Sequence, residues 1–163
     1  MNYASMRKYD TSNWSGINAT IFFSGCHFNC PGCFNTEAQD FNYGFEFTKK
    51  EQDLFIKWAK AEHVTGICIL GGEPFQQNLY TLGQFIFRLK KMVGKPIHMW
   101  TGYRFEELTA MNDTLVILKM IDTLVDGRFI ESKKDLNLRF RGSSNQRVID
   151  VKRTLAEGAL VYV

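Results

Sequence analysis

Apolar positions along this chain of 163 residues change their period several times, and each change marks an element boundary. Ile17–Ser24 is a β-branched and aromatic run of strand length, which predicts a first buried strand. Thr48 can cap a helix reaching Ala61, with Glu51 three residues on in capping-box position. Leu54, Phe55, Trp58 and Ala61 recur there at helical spacing, so Trp58 is read as core. Gly66–Leu70 is continuously apolar and predicts a second strand covered on both faces, with Cys68 inside it as a buried, inert thiol. Leu79–Met92 returns to helical spacing and stops near Gly94 and Pro96. Pro96–Thr101 is the third strand, Phe105–Met111 and Thr114–Lys119 are short helices, and Thr123–Val125 is the fourth strand. Val148–Val151 and Ala159–Val163 are late strand-like runs around a short helical or turn segment.

Strands alternating with helices predict an α/β fold with a mostly parallel sheet and right-handed crossovers. A full eight-unit barrel needs about 250 residues. An open, partial (β/α) barrel is what remains for residues 1–163, read as one domain. Ligands in such folds lie at the carboxyl ends of the strands. All four unusual motifs follow a strand here: the cysteines after the first, Gly71-Gly72-Glu73-Pro74 after the second, Trp100-Thr101-Gly102-Tyr103 after the third, and Asp126-Gly127-Arg128 after the fourth. That places them on one rim.

Composition narrows the class. Hydrophobic residues make up 45% of the chain and aromatics 14%, with fourteen Phe, which is globular and not disordered. A net charge of +3, scattered along the sequence, makes no case for nucleic acid. No apolar run has the length of a membrane span, and the polar stretch Met1–Ser12 has no export-signal core. The expected setting is cytoplasmic, with reduced cysteines.

The candidate chemistry sits in Cys26, Cys30 and Cys33, spaced C-x3-C-x2-C straight after the first strand. Gly25, Pro31 and Gly32 let the backbone bend so that three thiolates turn towards one point. Thiolates are soft ligands, suited to an iron–sulfur cluster or to zinc. A four-iron cluster usually takes four cysteines, so three would leave one iron open to a substrate. Zinc would want a fourth ligand, and His27, His63 and His98 are not paired at zinc-finger spacing; a disulfide with one thiol left over is the remaining reading. Gly71 and Gly72 let backbone groups approach a ligand closely, and Glu73 could receive an ammonium group; the competing reading is an ordinary Gly-Gly turn. Asp126 is a candidate for ribose or ammonium, or simply half of an Asp-Gly turn, and Thr101 is a candidate contact from the third strand. Arg139, Arg141 and Arg147 are either docking residues for a partner or a solvated basic loop.

C-x3-C-x2-C after a first strand, followed by Gly71-Gly72-Glu73, resembles the radical S-adenosylmethionine superfamily. The superfamily commonly has an aromatic residue before the third cysteine, where this chain has Gly32. The resemblance implies a minimal fold of that superfamily, with a [4Fe-4S] cluster on Cys26, Cys30 and Cys33. S-adenosylmethionine (SAM) would bind the open iron and have its amino group held at Gly71–Glu73. It also implies reductive cleavage to a 5′-deoxyadenosyl radical. Gly32 and Cys33 backbone, with Phe34 alongside, would hold adenine. Val125-Asp126-Gly127-Arg128-Phe129 and Arg139-Phe140-Arg141-Gly142-Ser143-Ser144-Asn145-Gln146-Arg147 closely resemble the family of activating proteins of anaerobic (class III) ribonucleoside-triphosphate reductases. Membership implies an activase that raises a glycyl radical on the large subunit of the reductase, with flavodoxin or ferredoxin as electron donor. Other small enzymes of the superfamily, such as formate-lyase activases and carboxy-deazaguanine synthases, share the cysteines and glycines. A zinc-binding interaction module is the non-catalytic alternative.

Overall fold

The apolar runs become the middle of one seven-stranded sheet in the computed structural model, which describes residues 1–163. In chain order the strands are β1 (Asn2–Asp10), β2 (Asn18–Phe23), β3 (Phe45–Glu46), β4 (Gly66–Gly71), β5 (Ile97–Trp100), β6 (Thr123–Asp126) and β7 (Arg147–Asp150). The helices are α1 (Lys49–Ala59), α2 (Leu79–Met92), α3 (Phe105–Ala110), α4 (Thr114–Leu118) and α5 (Val151–Glu157). Across the sheet the order is β3-β1-β2-β4-β5-β6-β7, with β3 and β7 outermost and no closure. The α/β open partial barrel expected from the sequence is therefore present.

Its parallel character is confined to the centre. β2, β4, β5 and β6 pair in parallel, whereas β1 on β2, β3 on β1 and β7 on β6 are antiparallel. No strand is expected at β1, and the reason is physical. Of its nine residues only Asp10 is buried. A strand held by backbone pairing along the flank of β2 leaves no apolar run to read. Ala159–Val163 is not a full strand; Tyr162 bridges to Ile149 and the rest is irregular.

Alternation along the central strands sorts their side chains to two faces. Ile21 and Phe23, Ile67 and Ile69, Ile97 and Met99, and Leu124 point to the helical side, where they join a core of 25 buried residues. Phe55 and Phe85, from α1 and α2, meet there at 5.7 Å. Within α1 the buried positions are Phe55, Ile56 and Ala59; Trp58 packs at the core margin, and Leu54 stands 41% exposed. The stripe is thus rotated slightly from the predicted one. On the opposite, concave face the pairing aligns Thr20, Cys68, His98 and Thr123 in one row across four strands. Cys68 is fully buried there, and burial pushes its thiol up to about 12, which makes it inert. No helix is long and apolar enough to cross a membrane.

Candidate functional site

The four parallel strands deliver their following loops to one rim, and the backbone stitches those loops together. Gly72 N–H donates to Phe23 C=O at 2.7 Å and Glu73 N–H to Gly25 C=O at 2.8 Å. Gly25 N–H and Cys26 N–H in turn donate to Ala38 and Gln39. The two glycines of β4's exit are needed for this closeness. A Cβ on Gly72 would stand 2.5 Å from the Gly25 carbonyl oxygen, and Gly71 has a φ of +116° with β2 backbone pressed against it. Their first consequence is strand-to-loop approach within the protein.

Cys26, Cys30 and Cys33 are half-exposed, free thiols on the loop after β2. Burial is the main cause that raises Cys26, and charge on Glu73, Cys30 and Cys33 raises it further. Cys30 is raised by burial and by Cys33, and lowered by the Arg128 guanidinium and the Phe129 N–H. Neighbouring sulfurs thus disfavour ionisation of Cys26 and Cys30. A multiply charged cation is the group that would relieve this.

Which cation is a matter of spacing. No three His, Cys, Asp or Glu side chains gather tightly enough to hold a single ion. Around zinc, tetrahedral thiolates at about 2.3 Å from the metal would lie only about 3.8 Å from one another. Thiolates bonded to different irons of a cluster stand further apart than that. His27 packs its ring on Phe41 at 4.6 Å and supplies no fourth ligand. Three soft thiols on one loop are a donor set that fits an iron–sulfur cluster.

The carboxylates on the rim behave differently. Glu73 is 1% exposed and its carboxylate accepts from Phe75 N–H (3.0 Å), Thr101 Oγ1 (2.8 Å) and Gly102 N–H (2.7 Å). Burial raises it to about 7 even against these donors. Thr101 is spent on the same bond, and its hydroxyl also accepts from Tyr103 N–H. Asp126, fully buried, accepts from Phe105 N–H and from Arg147 Nε and Nη2 at 2.7, 2.9 and 2.5 Å. Arg147 also clamps Glu106, which its hydrogen bonds hold down at about 2. The side chains of Glu73, Thr101 and Asp126 thus brace the rim from inside, and Arg147 is not the free docking cation that sequence reasoning allowed.

Two further residues escape sequence reasoning. Gln77 is buried, and its amide donates to the carbonyls of Ser24 (3.0 Å), Gly25 (3.3 Å) and Glu73 (3.2 Å), tying the cysteine loop to the Gly-Gly-Glu loop. Gln76 accepts from His27 N–H at 2.7 Å. The one local signal was a polar pair directly after Gly-Gly-Glu-Pro-Phe. At the far side of the mouth, Gly32 (φ +72°) lies against Glu131, and Phe28 sits between Tyr103 (4.7 Å) and the Arg128 guanidinium (4.4 Å). Phe34 is 84% exposed. On the concave face, Trp14 stacks on His98 at 4.1 Å and on Phe140 at 3.9 Å. Both rings are near-parallel to the indole, so they cover its opposite faces. Burial lowers His98 to about 4, which keeps the imidazole neutral. Trp100 Nε1 holds the Phe140 carbonyl at 2.7 Å, and Arg139 reaches Ser15 Oγ at 3.1 Å.

An open partial barrel with three free thiols on one loop of its rim has the donor set of a single-cluster iron–sulfur domain. Residues 12–149 match the family model described as a 4Fe-4S single cluster domain. Among curated relatives, the anaerobic ribonucleoside-triphosphate reductase-activating protein of Escherichia coli is 38% identical over 152 residues, 91% of this chain and 97% of its own. The proteins of that name from Vibrio cholerae and Haemophilus influenzae are 36% and 35% identical over 150 residues, each covering 90% of this chain and 96% of its own. The chain belongs to the family of anaerobic ribonucleoside-triphosphate reductase-activating proteins.

Proposed function

We propose that this chain activates an anaerobic ribonucleoside-triphosphate reductase by raising a glycyl radical on its large subunit. Cys26, Cys30 and Cys33 would hold a [4Fe-4S] cluster and leave one iron for SAM. Together these cofactors supply one-electron cleavage of the sulfonium and a 5′-deoxyadenosyl radical able to take hydrogen from a glycine Cα. The observation that carries the reading is the trio of free, part-buried thiols on one short loop of the rim, with Cys26 and Cys30 each raised by burial and by neighbouring sulfurs.

The chain's own residues do the holding. With the Glu73 carboxylate already bonded to Thr101 and Gly102, the groups left for the amino end of SAM at Gly71–Glu73 are backbone carbonyls. Gly32 and Cys33 backbone, with the exposed Phe34 ring, would flank adenine. Asp126 and Thr101 keep that wall in place instead of reaching into it. Strands from residue 2 to residue 150 share one sheet, which supports reading residues 1–163 as one domain. Four unpaired cysteines suit a reducing, cytoplasmic setting, where flavodoxin or ferredoxin would supply the electron.

The test is anaerobic reconstitution with iron and sulfide, then incubation with SAM, a reductant and the reductase. The expected result is a glycyl doublet by electron paramagnetic resonance. Reconstituted protein that cleaves SAM but leaves the reductase without a doublet overturns the assignment.

A further inference from the structure

From Arg128 to Arg147 run twenty residues, all but the last outside the seven strands, that hold six Lys and Arg against two Asp and Glu. The excursion carries more positive charge than the molecule, whose net charge is +3. Arg147 is neutralised by Asp126 and Glu106. Arg128, Lys133, Lys134 and Arg139 are exposed and enter no ion pair.

A solvated basic loop would account for the charge alone, but not for three other features. Leu136 stands 88% exposed among these cations, and Ile130 is 38% exposed beside them. The loop borders the cysteines: Phe129 N–H reaches the Cys30 sulfur, and Glu131 lies against Gly32. It is also held in shape. Ser143 is fully buried, bridges back to Lys134 and accepts from Ile130 N–H at 3.2 Å, while Phe140 is stacked on Trp14 and bonded to Trp100. Cations and a bare leucine presented by an ordered loop bind at lower entropic cost than the same groups on a floppy one.

We infer that this loop is the docking face for the partner polypeptide, and that the partner meets it with an acidic surface. Carboxylates would lie opposite Arg128, Lys133, Lys134 and Arg139, with an apolar hollow taking Leu136. A partly apolar contact ringed by charge is the anatomy of a protein interface. Phosphate backbones offer Leu136 and Ile130 nothing. The inference rests on the proposed action on another protein, and gives that action a place and a chemistry. Opposed charge on the two surfaces would act first on the association rate, and strongly with salt.

The experiment measures binding of the full reconstituted chain to the reductase, from about 50 to about 300 mM salt, spanning strong to weak screening. The variants are Lys133→Glu with Lys134→Glu, and separately Leu136→Ser. Reductant-driven SAM cleavage without the reductase serves as control, since neither variant touches the thiols or the Gly-Gly-Glu loop. For the double variant the expected outcome is an affinity loss of about tenfold or more with a flatter salt slope. Leu136→Ser should lose about threefold to tenfold, with the slope kept and basal cleavage unchanged in both. Wild-type binding that the variants reproduce in affinity and slope overturns the docking face and leaves the functional proposal standing. No binding by the wild type, with cleavage intact, overturns both. A wild type that retains a DNA fragment more tightly than the reductase, lost on charge reversal, overturns the polypeptide reading.

Discussion

The cysteine loop and the wall formed at the ends of β4, β5 and β6 share one rim but treat their ionisable groups in opposite ways. Three thiols stand part-buried and free, and burial and neighbouring sulfurs raise two of them, Cys26 and Cys30. Across from them, the carboxylates of Glu73 and Asp126 are buried and saturated with donors from Phe75, Thr101, Gly102, Phe105 and Arg147. The first region keeps its thiols free. The second is finished, so its carboxylates act through the backbone they position.

Removing a thiol should break the comparison hardest. Cys26→Ala, Cys30→Ala or Cys33→Ala is expected to lose the cluster absorbance and drop glycyl-radical yield by more than about 100-fold, since a metal site with a missing ligand loses its geometry. Cys68→Ala should spare both, because that thiol is walled into the sheet. On the finished side, Arg147→Met leaves the Asp126 carboxylate buried without its cation. An expected loss of about 3 kcal/mol would be read from urea unfolding of the apo chain. Asp126→Asn with Arg147→Met together should recover part of that loss.

Glu73 gives a pH signature. Its pKa in the folded chain, about 7, lies above the ordinary 4.5, so folding favours the proton. Its stabilising contribution is present below about pH 4.5 and is lost as pH rises towards 7 and beyond. Up to about 3 kcal/mol is involved if the whole shift is realised. In Glu73→Gln that part of the slope should vanish from apo-protein unfolding curves; an unchanged slope would place the titration elsewhere. The smallest effects compare two glycines. Gly72→Ala pushes a methyl into the Gly25 and Ala38 carbonyl oxygens and should cost about 1–3 kcal/mol. Gly83→Ala, inside α2 with only Ile117 at 3.8 Å, should gain up to about 1 kcal/mol in thermal unfolding.

What the sequence made legible was whatever it wrote locally. Ile17–Ser24 and Gly66–Leu70 are continuous apolar runs, and the structure has β2 and β4 there; the C-x3-C-x2-C spacing shows its loop without help. Residues whose partners lie far along the chain were legible in type and place but not in role. Glu73 meets Gly102 and Asp126 meets Arg147, across 29 and 21 residues, and no short pattern announces either bond. Gln77 is the same case, 53 residues from the Ser24 carbonyl it holds. β1 was hidden for another reason: a strand recruited by its neighbour's edge needs no hydrophobic period of its own.

The indole of Trp14 lies between the imidazole of His98 and the phenyl ring of Phe140. One face therefore senses a strand at the heart of the sheet and the other the basic loop. That arrangement makes it a natural fluorophore for the loop's packing. Light emitted by this side chain should change when a partner settles on the loop and alters the surroundings of Phe140, so arrival can be timed without attaching a dye.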